Sequence, residues 1–241
     1  MGLAGFLRFL NRSLEKLERM LSRDFVSVVI PAYNEEATIR RVIETAKDAD
    51  TDEIIVVDDG SKDRTSRIAA KAGARVIKHS KNMGKGAAMS TGVENSRGNM
   101  IVFLDADLRS LTPASINRLI RPLKDDDADF VKSYYSQYRS KTGTSFFLYR
   151  PLLRKLFNNI DFTHPVSGQI SGRRSFFERI EFRDDYGTDI SILLDAVKQK
   201  QRVKEVCLGP LKHRKRDVKE VERIADEIIL AILEKSGMLK K

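Results

Sequence analysis

Two carboxylates, Asp105 and Asp107, stand one residue apart where the apolar run 101–104 ends. Like charges repel, so such a pair calls for a cationic partner. A divalent cation lying between the pair and a phosphate would supply it, taking the oxygen ligands that Mg²⁺ or Mn²⁺ prefers. Two acids in a solvated turn look the same, so the pair alone decides nothing. Acids recur in this setting, however: Glu35 and Glu36 follow the run 25–31, and Asp58 and Asp59 follow the run 53–57. Lys85 sits between Gly84 and Gly86 at the start of a helical pattern. Glycines there allow close backbone approach, and a helix start favours an anion. This is not a Walker loop, because His79 stands where glycine is required and Ala87 where serine or threonine is. Near the carboxyl end, His213 lies among Lys212, Arg214 and Arg216. The imidazole is tolerated by the same ions, and the cations could neutralise a phosphate-bearing ligand. A basic strand end is the plainer reading of that stretch. His79 and His164 read as structural or surface residues, and Cys207 as a small buried hydrophobe.

The elements that must position these groups follow from hydrophobic periodicity. "FVSVVIP" is a continuous β-branched run, as expected of a strand buried on both faces. "EIIVVDDGS", "ARVIKHS" and "NMIVFLDADL" are further strands. Helical patterns alternate with them in "EATIRRVIETAKDA", "DRTSRIAAKAG" and "GKGAAMSTGVENSRG". That alternation predicts an α/β domain with a largely parallel sheet, whose ligands sit beyond the carboxyl ends of the strands. Further along, helices are expected over "PASINRLIRPLKDDD", over "SFFLYRPLLRKLFNN" with a break near Pro151, over "TDISILLDAVKQK", and over the long terminal pattern from Val218. "ADFVKSYYSQY", "SGQISGRRS" and "VKEVCLGPL" read as strands. Residues 1–24 carry leucines and phenylalanine at spacings of three and four, with Arg8, Arg12, Lys16 and Arg19 opposite. This amphipathic helix could pack on the body, pair two copies or lie on a membrane surface. The remaining residues, 25–241, read as one domain, with halves 25–110 and 111–241.

The chain has 241 residues and is 41% hydrophobic, enough for a sizeable core. No apolar run reaches the length of a membrane span, and the charged start does not read as a signal peptide. One cysteine excludes an intrachain disulfide and suits a reducing compartment, so the cytoplasm is expected, with peripheral membrane contact left open. The net charge is +10. Residues 132–183 hold ten Lys/Arg against three Asp/Glu. That surplus is either a solvated face or a surface for a phosphate-bearing partner. No nucleic-acid motif with interleaved aromatics is present.

Taken in order, "VVIPAYNEEATI", "IIVVDDGSKDRT", "NMGKGAAMSTG" and "IVFLDADL" resemble the nucleotide-sugar-binding half of family 2 glycosyltransferases. The resemblance implies the GT-A fold, a Rossmann-like and mostly parallel sheet flanked by helices. It implies that Pro31, Ala32 and Tyr33 flank the nucleobase. Glu35 would hold the ribose or base region, Asp59 the base or ribose, with Ser61 close by. Lys85 would approach the diphosphate, Asp105 would contact the ribose or sugar, and Asp107 would ligate the metal. The later segments "ADFVKSYY", "RPLL", "HPVSGQISGRRSFFERIEF", "DYGTDISILLDA" and "LGPLKHRKRDVKEVERIADEII" resemble glucosyl-3-phosphoglycerate synthases and, more loosely, their mannosyl relatives. There Lys132 precedes paired aromatics, Ser167 and Gly168 shape the sugar pocket, Asp189 stands where that family usually has Glu, and His213 is a metal ligand. Two departures stand out. Gly143 falls where the arginine of the family's Gly-Gly-Arg-x-Thr pattern is expected, leaving Arg139, Lys141 and Ser145 as the acceptor-binding candidates. Gln169 stands where the family has Glu.

The resemblance implies a metal-dependent transfer of a hexose from a UDP- or GDP-sugar to a small phosphorylated acceptor such as 3-phosphoglycerate. Asp107, Lys85 and Asp189 are the catalytic candidates. Asp189 is either a general base, with inversion, or a group orienting the sugar hydroxyls, with retention. Two other readings are a membrane-surface transferase acting on polyprenyl phosphate and a non-catalytic nucleotide-binding module. Pairing of two copies through the first or last helix is a further expectation.

Overall fold

The computed structural model describes residues 24–137, 145–158, 160–210 and 218–239. Expectations resting on residues 1–23, Arg139, Lys141 and His213 lie outside these. Seven strands form one sheet: β1 (Val26–Ala32), β2 (Glu53–Asp58), β3 (Arg75–Lys78), β4 (Met100–Phe103), β5 (Phe130–Tyr134), β6 (Ile170–Arg173) and β7 (Val203–Cys207). Their order is β3-β2-β1-β4-β6-β5-β7. All neighbours pair in parallel except β6, which is antiparallel to both β4 and β5. Ile170 opens β6 opposite Phe103 of β4 and Lys132 of β5. The start of β6 therefore shares an edge with the carboxyl ends of the other strands. That edge collects every acidic pair singled out above.

Strand periodicity divides the core. Val28 and Ile30 of β1 face one layer, and Val29 faces the other. On the first face lie α1 (Ile39–Lys47), α2 (Thr65–Lys71) and α4 (Pro113–Lys124). On the second lie α3 (Lys85–Glu94), α5 (Arg150–Leu156), α6 (Arg174–Phe177), α7 (Thr188–Lys198) and α8 (Val218–Ser236). Both faces of β1 are covered, which is why its sequence is continuously apolar rather than alternating. Thr112 caps α4 through a reciprocal bond with Ser115, and Pro113 occupies the first turn where its missing N–H is not needed.

The break expected near Pro151 is a π-helical turn, Ser145–Tyr149, running directly into α5. Proline cannot donate to the carbonyl four residues back, and a wider turn accommodates the loss. The short α6 was not expected. It places Phe176 and Phe177 against Phe130 and Phe103, with ring centroids 5.5 and 5.1 Å apart. Cys207 is a correction. It is half-buried rather than buried, because β7 is an edge strand with β5 as its one strand neighbour. The loop before α7 is clamped to α8 by Arg183, which bonds Asp185 at 2.7 Å and also Glu234.

Candidate active site

The site is built along the edge where β1, β2, β4 and β5 end and β6 begins. After β1, the loop 33–38 is stitched to the loop that follows β2. The Asn34 N–H donates to Ser61 Oγ at 2.9 Å, and the Glu35 N–H donates to Thr65 Oγ1 at 2.8 Å. Arg64 pairs with Glu36 at 2.9 Å. Asn34 takes the left-handed conformation at φ 55°, which asparagine tolerates, and its side-chain oxygen accepts from the Lys62 N–H. Pro31 and Ala32 close β1 beneath this rim, and the Tyr33 ring stands exposed above them. Glu35 is half-buried and accepts from the Thr38 hydroxyl at 2.8 Å. Ser61 is buried, and its N–H donates to Asp58.

Asp59 is expected at the base or ribose. Its carboxylate is instead turned into the protein. It accepts from the N–H groups of Met83 and Gly84 at 2.9 and 2.8 Å and contacts His79 Nδ1 at 2.7 Å. It thus holds the loop that presents Lys85. His79 is half-buried and reaches Thr91 through its other nitrogen at 3.0 Å, the structural one of the two roles read for it. The glycines around Lys85 answer a steric demand within the chain. A Cβ on Gly84 would lie 2.2 Å from the Asp184 carbonyl oxygen, and one on Gly86 would lie 1.7 Å from that of Arg183. The start of α3 packs directly on the 183–185 loop, which leads into α7 and Asp189.

Lys85 is the centre of the site. Its ammonium lies 2.8 Å from Asp105 Oδ1 and 2.8 Å from Asp189 Oδ2. Burial works against its charge, but the two carboxylates more than offset that and hold its pKa above the ordinary lysine value. Asp189 Oδ1 is buried with no hydrogen-bond partner, leaving an inward-facing acceptor beside the cation. Gly168 lies over the ion pair. A Cβ there would come 2.5 Å from Asp105 Oδ2 and 2.8 Å from Lys85 Nζ. Glycine is needed at this position for close approach, not for an unusual backbone angle.

Behind these groups lies a polar floor. Lys132 is fully buried, and its ammonium donates to the Ser167 carbonyl at 2.6 Å and, at 3.4 Å, to that of Asp189. Burial pushes its pKa down to about 8, against the opposing pull of Asp189. Ser133 and Ser167 share a bond at 2.5 Å between their hydroxyls. Tyr135 donates to Gln169 Oε1 at 2.5 Å, and Gln169 Nε2 donates to Asp105 Oδ2 at 2.5 Å. The sequence signals for this floor were the lysine and serine inside the otherwise apolar strand "FVKSYY" and the Ser167–Gln169 segment; the bonds that join the two had no signal.

Asp107 lies half-buried two residues past Asp105. Asp105 has oxygens engaged by Lys85 and Gln169. No group of three or more His, Cys, Asp or Glu that could hold a metal occurs among the described residues. A carboxylate at a phosphate site still fits Mg²⁺ or Mn²⁺, which are commonly held by one or two carboxylates together with substrate phosphates. Of the acceptor-binding candidates, Ser145 opens the π-helical turn, and its side chain lies outside the described residues.

Residues 27–181 match the model of glycosyl transferase family 2. The glucosyl-3-phosphoglycerate synthase of Mycolicibacterium smegmatis is 30% identical over 236 residues, covering 88% of this chain and 78% of that protein. The crystal structure of glucosyl-3-phosphoglycerate synthase from Mycobacterium tuberculosis with Mn²⁺, UDP and glucosyl-3-phosphoglycerate has a TM-score of 0.81 and 31% identity, covering 92% of this chain and 83% of that one. A structure of the same enzyme with Mn²⁺, UDP-glucose and phosphoglyceric acid also scores 0.81, at 32% identity and the same coverage. With its mostly parallel sheet and its acids gathered at the strand ends, the chain belongs to glycosyl transferase family 2 and is a glycosyltransferase of the GT-A fold.

Proposed function

We propose that this protein transfers glucose from UDP-glucose to 3-phosphoglycerate, in the presence of Mg²⁺ or Mn²⁺. The observation that carries this reading is the Lys85 bridge between Asp105 and Asp189 beneath Gly168. It stands in a chain aligned along most of its length with an enzyme whose structures hold UDP-glucose and phosphoglyceric acid. Residues 25–110 form the half that takes the nucleotide sugar, and residues 111–241 the half that takes the acceptor.

In the reaction the bond from the sugar C1 to the diphosphate breaks, and a bond from C1 to the acceptor hydroxyl oxygen forms. The acceptor hydroxyl passes its proton to the departing diphosphate oxygen, and UDP leaves. Pro31, Ala32 and the exposed Tyr33 ring border the base, with Glu35 and Ser61 on the adjoining loops. Lys85 meets the negative charge that grows on the leaving oxygen, from a place already fixed by two carboxylates. Asp105 faces the ribose or sugar beside Ser167 and Gly168. Asp189 commits Oδ2 to Lys85, which favours a role in orienting the reacting groups over that of a free base, and hence retention. Asp107, with His213, would hold the divalent ion, which supplies charge neutralisation for the diphosphate. Arg139, Lys141 and Ser145 would take the acceptor phosphate and carboxylate.

No described helix is long and apolar enough to cross a membrane. The amphipathic pattern of residues 1–24 supports contact with a membrane surface or pairing of two copies. Flotation with anionic vesicles and light scattering separate those two. The reaction itself is tested with UDP-[¹⁴C]glucose, Mn²⁺ and 3-phosphoglycerate. Label in an anionic, water-soluble product with the mass of glucosyl-3-phosphoglycerate supports the reading. Label transferred only to added polyprenyl phosphate, or released only as glucose, overturns it.

A further inference from the structure

We propose that Gln169 is a positioning residue for Asp105, acting through a one-way chain of hydrogen bonds that ends on the carboxylate. The proposal rests on the glucosyl-transfer reading for its assay, not for its geometry. Gln169 opens the turn into β6 and is 2% exposed. Its side-chain oxygen accepts from the Tyr135 hydroxyl at 2.5 Å and from the Ser167 hydroxyl at 3.2 Å. A carboxamide oxygen can only accept, so both hydroxyls must donate. Ser167 spends its proton on Gln169, so the bond between Ser133 and Ser167 runs from Ser133. Direction is thereby fixed along the line Ser133, Ser167, Gln169, Asp105, with Tyr135 joining at the amide.

Asp105 fixes which way the amide points, because an ionised carboxylate can only accept. Turned over, the amide would set its oxygen against a carboxylate oxygen with no proton between them. Only the observed orientation pairs every atom. Donors that converge on Oε1 polarise the amide and strengthen its N–H toward Asp105 Oδ2, at 2.5 Å. Asp105 Oδ1 stays with Lys85, so the carboxylate is held from two sides, by an amide just before β6 and an ammonium on α3. A carboxylate at position 169 has no N–H with which to do this. The chain's Gln169 is therefore matched to a site in which Asp105 receives its second bond from a neutral donor.

The test is a double-mutant cycle. Gln169→Met keeps the volume but can neither donate nor accept. It is combined with Asp105→Ala, and the readouts are the UDP-glucose Kd by calorimetry with Mn²⁺ and kcat/KM for each substrate. Gln169→Met is expected to weaken the UDP-glucose parameters by about 10- to 100-fold, the usual effect of one hydrogen bond to a charged group. The KM for 3-phosphoglycerate should stay within about 3-fold. In the double variant the loss should be no greater than with Asp105→Ala alone, within about 3-fold. Multiplying losses, or a Gln169→Met protein that binds UDP-glucose like the parent, overturns the proposal. If Gln169→Met does not fold, Tyr135→Phe enters the same cycle, with a smaller loss expected and the same absence of additivity required. A parent protein that binds UDP-glucose without transferring it would defeat the glucosyl-transfer reading alone, since the calorimetric cycle still decides the role of Gln169.

Discussion

Lys132 gives a prediction whose size follows from its surroundings. The ammonium has no solvent exposure and is held by main-chain carbonyls, not by a carboxylate in contact. Burial takes its pKa from 10.5 down to about 8. Below pH 8 lysine is protonated in both folded and unfolded chains, so it contributes no pH dependence. Between about 8 and 10.5 the unfolded chain keeps the proton while the folded one has lost it. The unfolded state then binds more protons, and stability rises with pH. Taken at about 1.4 kcal/mol for each pH unit between the two values, the full gain is about 3 kcal/mol, most of which falls between pH 7 and pH 10. Lys132→Met removes the titrating group and keeps the length of the stem. Urea denaturation of both proteins at pH 7, 8, 9 and 10 isolates this contribution, because other titrating groups cancel in the difference. The parent should gain roughly 2 to 3 kcal/mol on the variant across that range. A difference constant to within about 0.5 kcal/mol would refute the argument that burial dominates at this residue.

Three other substitutions probe the site and its supports. Lys85→Met leaves Asp105 and Asp189 facing each other without their cation and should lower kcat/KM by about 100-fold or more in steady-state assays; a loss under about 5-fold would remove Lys85 from the chemistry. Gly168→Ala drives a methyl against Asp105 and Lys85 and should cost about 10- to 100-fold in kcat/KM with little change in the denaturation midpoint. Arg183→Leu breaks the clamp from Asp185 and Glu234, at a residue only 14% exposed, and should lower unfolding free energy by about 2 kcal/mol in urea titrations.

Much of the first half was legible because β1, β2 and β4 are buried on both faces. A continuous run such as Val26–Ala32 has few other readings once helices alternate with it. Acids at the ends of such runs then stand out as convergent on one edge of the sheet. The second half was less legible. The antiparallel insertion of β6 between β4 and β5 depends on pairings such as Phe103 with Ile170, between residues far apart in the chain. The same holds for the site. Lys85 and Asp189 are separated by 104 residues and Asp105 and Gln169 by 64, so their contacts have no local signature. Lys85, Asp105 and Asp189 could be named together through resemblance, whereas the bridge that joins them could not. Asp59 shows the opposite difficulty. Its place in the motif pointed toward a ligand, while its oxygens serve the backbone of Met83 and Gly84. The glycines beside Lys85 were visible as a demand for close approach, but the approaching group is the chain's own Arg183–Asp184 backbone.

The most direct test of the account is product formation from UDP-glucose and 3-phosphoglycerate, followed by mass spectrometry, in metal-free buffer, after EDTA, and after Mn²⁺ is restored. The account predicts glucosyl-3-phosphoglycerate with Mn²⁺, none after EDTA, recovery on adding Mn²⁺, and none under any condition from Asp107→Ala. Transfer that survives EDTA, or an Asp107→Ala protein as active as its parent, would contradict it.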